Sequence, residues 1–192
     1  GFYSRIPEDW SYSNGQSDSQ MRGHSTKQAP DGSYYTVGRN ISGDDSSWLI
    51  KRDSTGAFVW IRAWGNKNMR ALHIVIDSSS NPICISYDYG YYQQAGTGGI
   101  TSHIIKFNSS GVEQYKKTFK YNSATTSSHN TYLRSATIDA WDNIWGMFTY
   151  QEAVTSPQNY SKDVVGLAKI DTSDGSLKKV YTLPPSGTFS AN

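Results

Sequence analysis

The sequence has little cysteine, little charge and no long apolar run. Its 192 residues include a single cysteine, Cys84, so no disulfide can form within the chain. The neighbours of Cys84 are Ile83 and Ile85, and a small thiol between two aliphatic side chains is typical of a buried strand. We therefore expect Cys84 to be a packed core residue without redox chemistry.

Membranes and nucleic acids are not expected partners. No apolar stretch approaches the roughly 18 to 20 residues that a helix needs to cross a bilayer, and the first residues lack the basic and apolar regions of a signal peptide. The 18 basic residues give a formal net charge of only +2 and form no run that would neutralise several phosphates. The sequence therefore predicts a soluble chain with no membrane insertion and no nucleic-acid binding.

What the chain does contain favours β-sheets. Hydrophobic residues make up 36% of the sequence and charged residues 18%, but aromatic residues reach 14%, with 14 tyrosines and 6 tryptophans. Aromatic side chains pack well on pleated sheets, whereas helices favour Ala, Leu, Glu and Lys. An all-β fold is the first prediction.

An internal repeat is the strongest organising signal. Two apolar residues, a lysine, any residue, an Asp or Asn and a short turn ending in glycine occur three times, with the lysines 51, 106 and 169. The three segments are LIKRDSTG at 49–56, IIKFNSSG at 104–111 and LAKIDTSDG at 167–175. Asp and Asn open turns by bonding their own backbone, and glycine supplies the positive φ that closes them. Each copy therefore predicts a β-hairpin.

A second pattern precedes the first in each unit. IDSSSNPICI at 76–85 and IDAWDNIWGM at 138–147 share Ile, Asp, three residues, Asn and an apolar strand, and DGSYYTV at 31–37 is similar to part of it. Together the patterns predict four strands per unit. For the second unit the strands are 72–76, 83–87, 103–107 and 112–119, and for the third they are 134–138, 144–150, 166–170 and 177–181. The first unit shows three, at 33–38, 48–51 and 58–62.

Four-stranded antiparallel units of this length suit blades arranged radially, so we predict about three blades of a partial β-propeller, with a β-sandwich as the alternative. The predicted boundaries are an N-terminal arm or irregular segment at 1–30, repeats at 31–183 and a C-terminal tail at 184–192. Blade 1 covers about 31–65, blade 2 about 71–120 and blade 3 about 133–183.

The repeat resembles the SBBP-type β-propeller repeat. The resemblance covers roughly residues 31–183 and uses Asp77 to Ile85 with Ile104 to Tyr115, Asp139 to Met147 with Leu167 to Val180, and Asp31 to Val37 with Leu49 to Trp60. It implies a scaffold or adhesion module, of the kind found in bacterial surface proteins and tailed-phage virions, with no shared catalytic residue.

The resulting functional hypothesis is a non-enzymatic structural module of a larger assembly, most specifically a capsid- or tail-associated phage component. Its location would be the virion, or an extracellular or cell-surface site. Three blades fall short of the four to eight that usually close a propeller, so other structural proteins or further blades are the expected partners.

An adhesin module that binds carbohydrate or a cell surface is the alternative function. The Tyr-rich segment YDYGYYQQAGTGG at 87–99 predicts an adaptable interaction loop, with Tyr87, Tyr89, Tyr91, Tyr92 and Gln93 as its contact residues. Tryptophans 60, 64, 141 and 145 are further candidates for stacking on sugars, although 60 and 145 sit in predicted strands, where packing between blades is the favoured interpretation.

Catalytic and metal motifs are weak by comparison. The four histidines lack ligand partners at metal spacing, and GTGG at 96–99 lacks the spacing of a dinucleotide loop. Calcium is possible at Asp171 with Asp174 or at Asp44 with Asp45, but turn chemistry explains these pairs without an ion. We therefore expect no cofactor. A hydrolase using Asp139 and Asp142 ranks last among the hypotheses.

Overall fold

The computed structural model describes residues 21–40, 47–65, 69–88, 101–119, 131–153 and 161–182. Twelve strands fill these ranges, in three antiparallel sheets of four. The first sheet contains β1 (Met21–Gln28), β2 (Tyr34–Asn40), β3 (Ser47–Arg52) and β4 (Phe58–Trp64). The second contains β5 (Met69–Ile76), β6 (Pro82–Asp88), β7 (Thr101–Phe107) and β8 (Glu113–Phe119). The third contains β9 (Thr131–Ile138), β10 (Asn143–Ala153), β11 (Ser161–Asp171) and β12 (Leu177–Thr182).

The predicted all-β fold with three four-stranded units is confirmed. Each sheet is a meander in which every strand pairs with its sequence neighbour, and we call the three sheets the first, second and third blades. Six described hairpin turns share a feature, a residue with positive φ just before the turn closes. This residue is the fourth of the turn in five cases and the fifth in the longer β11–β12 turn. Glycine holds that position in four turns, whereas Ser80 and Asp142 hold it in the first turns of the second and third blades.

The first blade is complete, which corrects two predictions. Residues 1–30 were expected to form an arm or irregular segment, and the first copy was expected to show three strands. Instead Met21–Gln28 forms β1, which pairs with β2 across a bulge at Gly23 and Ser25. The predicted tail at 184–192 lies outside the described residues.

The first turn of the first blade also differs from its predicted alignment. The turn bonds start at Ala29, Asp77 and Asp139, so Ala29 and not Asp31 matches the two later aspartates. Asp31 lies two residues further on, where its carboxylate accepts from the Ser33 amide at 2.9 Å. An Asp-Gly-Ser sequence carries the same turn chemistry in either register, which is why the sequence pattern selected Asp31.

The blades stack in chain order around two hydrophobic clusters. One cluster joins the first and second blades and contains Val37, Leu49, Cys84 and Ile105. The other joins the second and third blades and contains Ile83, Ile85, Ile104 and Ile144, among others. Successive residues of β6 therefore serve different clusters, as expected of a strand that is buried on both faces. Cys84 is fully buried, as predicted, and burial raises the pKa of its thiol.

Candidate interaction face

Each blade has two faces. The trailing face points toward the next blade along the chain, or, in the third blade, away from the second. The leading face points toward the previous blade, or, in the first blade, away from the second. Several contacts between the trailing face of the first blade and the second blade involve the β7–β8 hairpin turn. Lys51 Nζ donates to the carbonyl of Ser109 at 3.0 Å, and Trp60 Nε1 donates to the same oxygen at 3.2 Å. Arg62 Nε donates to the carbonyl of Gly111 at 2.8 Å. Side chains of β3 and β4 thus hold the β7–β8 turn of the second blade.

The second interface repeats this arrangement. Lys106 Nζ donates to the carbonyl of Thr172, in the β11–β12 turn of the third blade, at 2.9 Å. The same ammonium lies 2.8 Å from Asp77 Oδ2, and both side chains are nearly excluded from solvent. Lys51 and Lys106 occupy equivalent positions of the repeat, so we call this contact the lysine latch.

The environment of Asp77 keeps its carboxylate ionised. Burial disfavours the charge, but hydrogen bonds from Lys106 and from Asn81 outweigh burial, and the pKa of Asp77 lies below its usual value. In the first blade, where Ala29 replaces this aspartate, Lys51 lies 3.8 Å from the more exposed Asp31. The latch lysine therefore has a carboxylate of its own blade nearby at both interfaces.

A buried pair of cross-strand partners supports each latch. Val37 pairs with Leu49 on the trailing face of the first blade, and Ile85 pairs with Ile104 on that of the second. All four side chains have 0% relative exposure. These pairs supply the apolar contacts of the two interfaces.

The third blade presents the same pattern on an open face. Its equivalent pair is Met147 with Leu167, and these side chains are 41% and 47% exposed. Tyr181 follows Leu167 in the same cross-strand row and is also exposed. The trailing face of the third blade is therefore an apolar surface with the residue pattern of a buried interface.

Cations and aromatic rings border this open face. Trp145 and Tyr181 stack with ring centroids 6.1 Å apart. Lys169 Nζ lies 5.3 Å from the Trp145 ring, and Lys179 Nζ lies 4.8 Å from the Tyr181 ring. Lys169 is the repeat equivalent of Lys51 and Lys106, and it occupies the latch position on the open face.

Of the predicted contact residues of the interaction loop, the structure describes only Tyr87. Tyr87 is not a loop residue with a free ring: it lies in β6, is 2% exposed, and donates its hydroxyl to the carbonyl of Leu133 at 2.8 Å. The alternation of β6 directs Tyr87 toward the third blade together with Ile83 and Ile85. Tyr89, Tyr91, Tyr92 and Gln93 lie outside the described residues.

The candidate tryptophans separate into different roles. Trp60 and Trp64 lie at the first interface, where Trp64 packs 5.4 Å from the Phe107 ring. Trp145 belongs to the open face. Trp141, at the tip of the β9–β10 turn, is 82% exposed.

The carboxylates proposed for catalysis or calcium are engaged in turns. Asp139 accepts from Trp145 Nε1 at 2.8 Å. Desolvation would raise the pKa of Asp139, but hydrogen bonds from Asn143 and Trp145 lower it to about 2. Asp142 accepts from the Ser78 amide of the second blade at 3.0 Å. Both carboxylates therefore serve hairpin turns or blade contacts.

The calcium candidate at 171–175 holds an ammonium. Lys178 Nζ lies 2.7 Å from Asp171 Oδ2, and the hydrogen bond from Lys178 is the main cause of the lowered pKa of Asp171. Among the described residues no group of three metal-binding side chains occurs, and Asp44 and Asp45 lie outside them. The expectation that the protein needs no cofactor stays a prediction.

Sequence reasoning did not assign the latch lysines a role. The sequence does contain the signal, because a lysine directly after two apolar residues recurs in all three copies. A lysine that recurs at one position of a buried strand indicates a required charge contact, since an unpaired ammonium is costly to bury.

The second interface is less completely filled than the first. A groove of about 580 Å³ lies between β8 and β12, with Phe119, Phe148, Ala168 and Leu177 in its walls. Ala168 is the repeat equivalent of Ile105, which belongs to the cluster between the first and second blades. The smaller side chain leaves part of this volume open.

No protein-family model matches the sequence, and comparison with curated proteins finds no similar chain. In the part of the chain that the structure describes, no helix is long and apolar enough to cross a membrane.

Proposed function

We propose that this chain is a non-enzymatic structural module of a larger assembly, and that another part of the assembly covers the trailing face of its third blade. The single observation that carries the proposal is the exposure of Met147 and Leu167, whose counterparts in both other blades are fully buried. Exposed apolar patches of this kind commonly mark interaction sites. The use of turn carboxylates for hairpin structure supports a role without catalysis.

The most specific version of the proposal is a virion component of a tailed phage, with a bacterial surface assembly as the related setting. The support is the resemblance of the repeat to SBBP-type propeller repeats. A rigid particle component suits this chain, because Ser, Thr and Asn side chains provide polarity without a strong net charge.

Incorporation into particles tests the proposal. A tagged chain is produced in the organism or virus that encodes it, the particles are purified on a density gradient, and the tag is quantified per particle. We expect the wild-type chain in the particle fraction and a loss of at least about tenfold for Leu167→Asp, since a carboxylate would have to be buried at the interface.

Val112→Asp is the matched control. Val112 is 55% exposed but lies at the end of the β7–β8 turn, where its carbonyl accepts from the Asn108 amide, away from the open face. This variant should be incorporated like the wild type. Absence of the wild-type chain from every particle fraction, or equal incorporation of Leu167→Asp, would contradict the proposal.

A carbohydrate-binding adhesin is the second candidate, and the exposed ring of Trp141 favours it. A glycan array and a cell-binding assay separate the two functions. Binding that is lost on Trp141→Ala, or on replacement of Tyr91 and Tyr92, would support the adhesin. Binding that depends instead on Leu167 would assign the contact to the open face.

A further inference from the structure

The glycines of the β3–β4, β7–β8 and β11–β12 turns show which of these turns are covered by another blade. A Cβ added at Gly111 would lie 3.0 Å from Arg62, and one at Gly175 would lie 2.7 Å from Tyr115. In both cases the contacted residue belongs to the outer strand of the preceding blade. A Cβ at Gly56, in the equivalent turn of the first blade, would meet nothing within 4 Å. The β3–β4 turn therefore lacks the cover that the other two turns have.

The first and third blades each carry one of the two residues that form a lysine latch. Ser54 holds the turn position that Ser109 and Thr172 hold in the later blades, and it is exposed. Lys169 holds the donor position on the open face of the third blade. At each interior interface, a lysine at this position donates to the carbonyl of this turn residue.

The leading face of the first blade is open mainly at its turn end. Phe58, beside the β3–β4 turn, is 59% exposed, and Tyr34 in the same cross-strand row is 36% exposed. Further along the same face, Trp48 and Ile50 are 4% and 5% exposed, so this region is already covered. A partner of the first blade would therefore contact the turn and the row beside it.

We propose that two copies of this chain associate head to tail, with the β3–β4 turn of each copy held by the third blade of the other. Lys169 of one copy donates to the carbonyl of Ser54 in its partner, as Lys51 and Lys106 do within the chain. The inference deepens the proposed function and rests on it, since it names the occupant of the open face. Two such contacts close a ring of six blades, which is within the usual range for propellers.

A symmetric contact between two third blades fits less well. It would bring Lys169 and Lys179 of one copy against the same lysines of the other, and like charges at such a contact repel. Head-to-tail contact instead places Lys169 against backbone carbonyls. Charge repulsion therefore favours the partner's first blade, and not its third, as the surface that covers the open face.

Sedimentation equilibrium of the intact chain is the first test. We expect twice the 21.4 kDa mass of one chain, with no growth to larger species as concentration rises. Lys169→Met should weaken the dimer by at least about tenfold, since a charged hydrogen bond is lost. Lys116→Met, which removes an exposed lysine of β8, is the matched control and should leave the dimer unchanged.

Cross-linking then tests the orientation. Ser54→Cys and Lys179→Cys are made as separate variants and treated with a short bis-maleimide, first alone and then mixed. Lys179 is the equivalent of Tyr115, which lies against Gly175, so Lys179 should lie near Ser54 of the partner. We expect a cross-linked dimer in the mixture and none with either variant alone.

Three results would overturn the inference: a monomer at all concentrations, an open-ended polymer, or a Lys179→Cys variant that cross-links to itself. A monomer would contradict the dimer but not the proposed function, because the particle experiment asks whether any assembly partner covers the open face. The two proposals can therefore fail independently.

Discussion

The second and third blades share a repeat but differ in what their trailing faces contact. Ile85 and Ile104 are buried by the third blade, whereas Met147 and Leu167 occupy the same positions and lie open. The side chains are similar in size and polarity. The difference shows that burial in this fold is set by the neighbouring blade and not by the blade's own sequence.

Truncation of an apolar residue should give the largest difference in stability loss between the trailing faces of the second and third blades. Ile104→Ala should lower the free energy of unfolding by about 3 to 4 kcal/mol, because it leaves a cavity between two blades. Leu167→Ala should cost about 1 kcal/mol or less, since that side chain is half exposed. Urea unfolding of both variants measures these losses. Similar midpoints would contradict the claim that the third blade buries Ile104 while Leu167 lies open.

Replacement of the two latch lysines Lys106 and Lys169 should lower the free energy of unfolding by amounts that differ almost as much. Lys106→Met leaves the Asp77 carboxylate buried without its ammonium, and we expect a loss of about 3 kcal/mol. Lys169→Met should change stability of the isolated chain by less than about 0.5 kcal/mol. The double variant with Asp77→Asn should recover part of the loss, because no charge then remains buried; no recovery would show that the lysine stem matters more than its charge.

Acid should weaken the second interface through Asp77. Its pKa in the folded chain is lower than 3.8, so its contribution is present above that pH and is lost as the pH falls toward the folded value. Burial also lowers the pKa of His73 and His103 below 6.5, so stability should already decline below pH 6.5.

Calorimetry from pH 8 to pH 3 measures both effects. We expect the midpoint to fall by about 2 to 4 °C for each kcal/mol lost. His103→Gln should reduce the decline below pH 6.5. Lys106→Met should reduce the decline below pH 3.8, to which Asp139 and Asp171 also contribute. A profile unchanged by Lys106→Met would contradict the role assigned to Asp77.

Filling the groove should have the smallest effect. Ala168→Ile restores the residue type that Ile105 supplies to the first interface, and it should add about 0.5 to 1 kcal/mol. Val165→Ile, on the opposite face of β11, is the control and should have little effect. Destabilisation by Ala168→Ile in chemical unfolding would mean that the groove walls cannot accommodate the larger side chain.

Most of the strands could be predicted because the repeat combines two local signals. Apolar residues mark the inner strands, and Asp, Asn and Gly mark the turns between them. β1 was missed since MRGHSTKQ lacks apolar alternation, and its pairing with β2 is a property of the sheet. A polar strand at the start of a blade has no sequence signature of its own.

The interaction face was not predictable in the same way. Met147 and Leu167 are apolar like their buried counterparts, so composition alone cannot show that one pair is exposed. The tyrosine segment has an unusual composition that predicts an interaction loop, yet Tyr87 completes a core strand. Recognising the open face required the cross-strand register and the order of the blades.

Cys84 provides a native probe for one of the two interfaces. Its thiol lies on the leading face of the second blade, in the cluster with Val37 and Leu49, and it is the only cysteine in the sequence. A thiol reagent can reach it only when the first and second blades separate or the chain unfolds. The rate of labelling under native conditions therefore reports the opening of the first interface without any substitution in the chain.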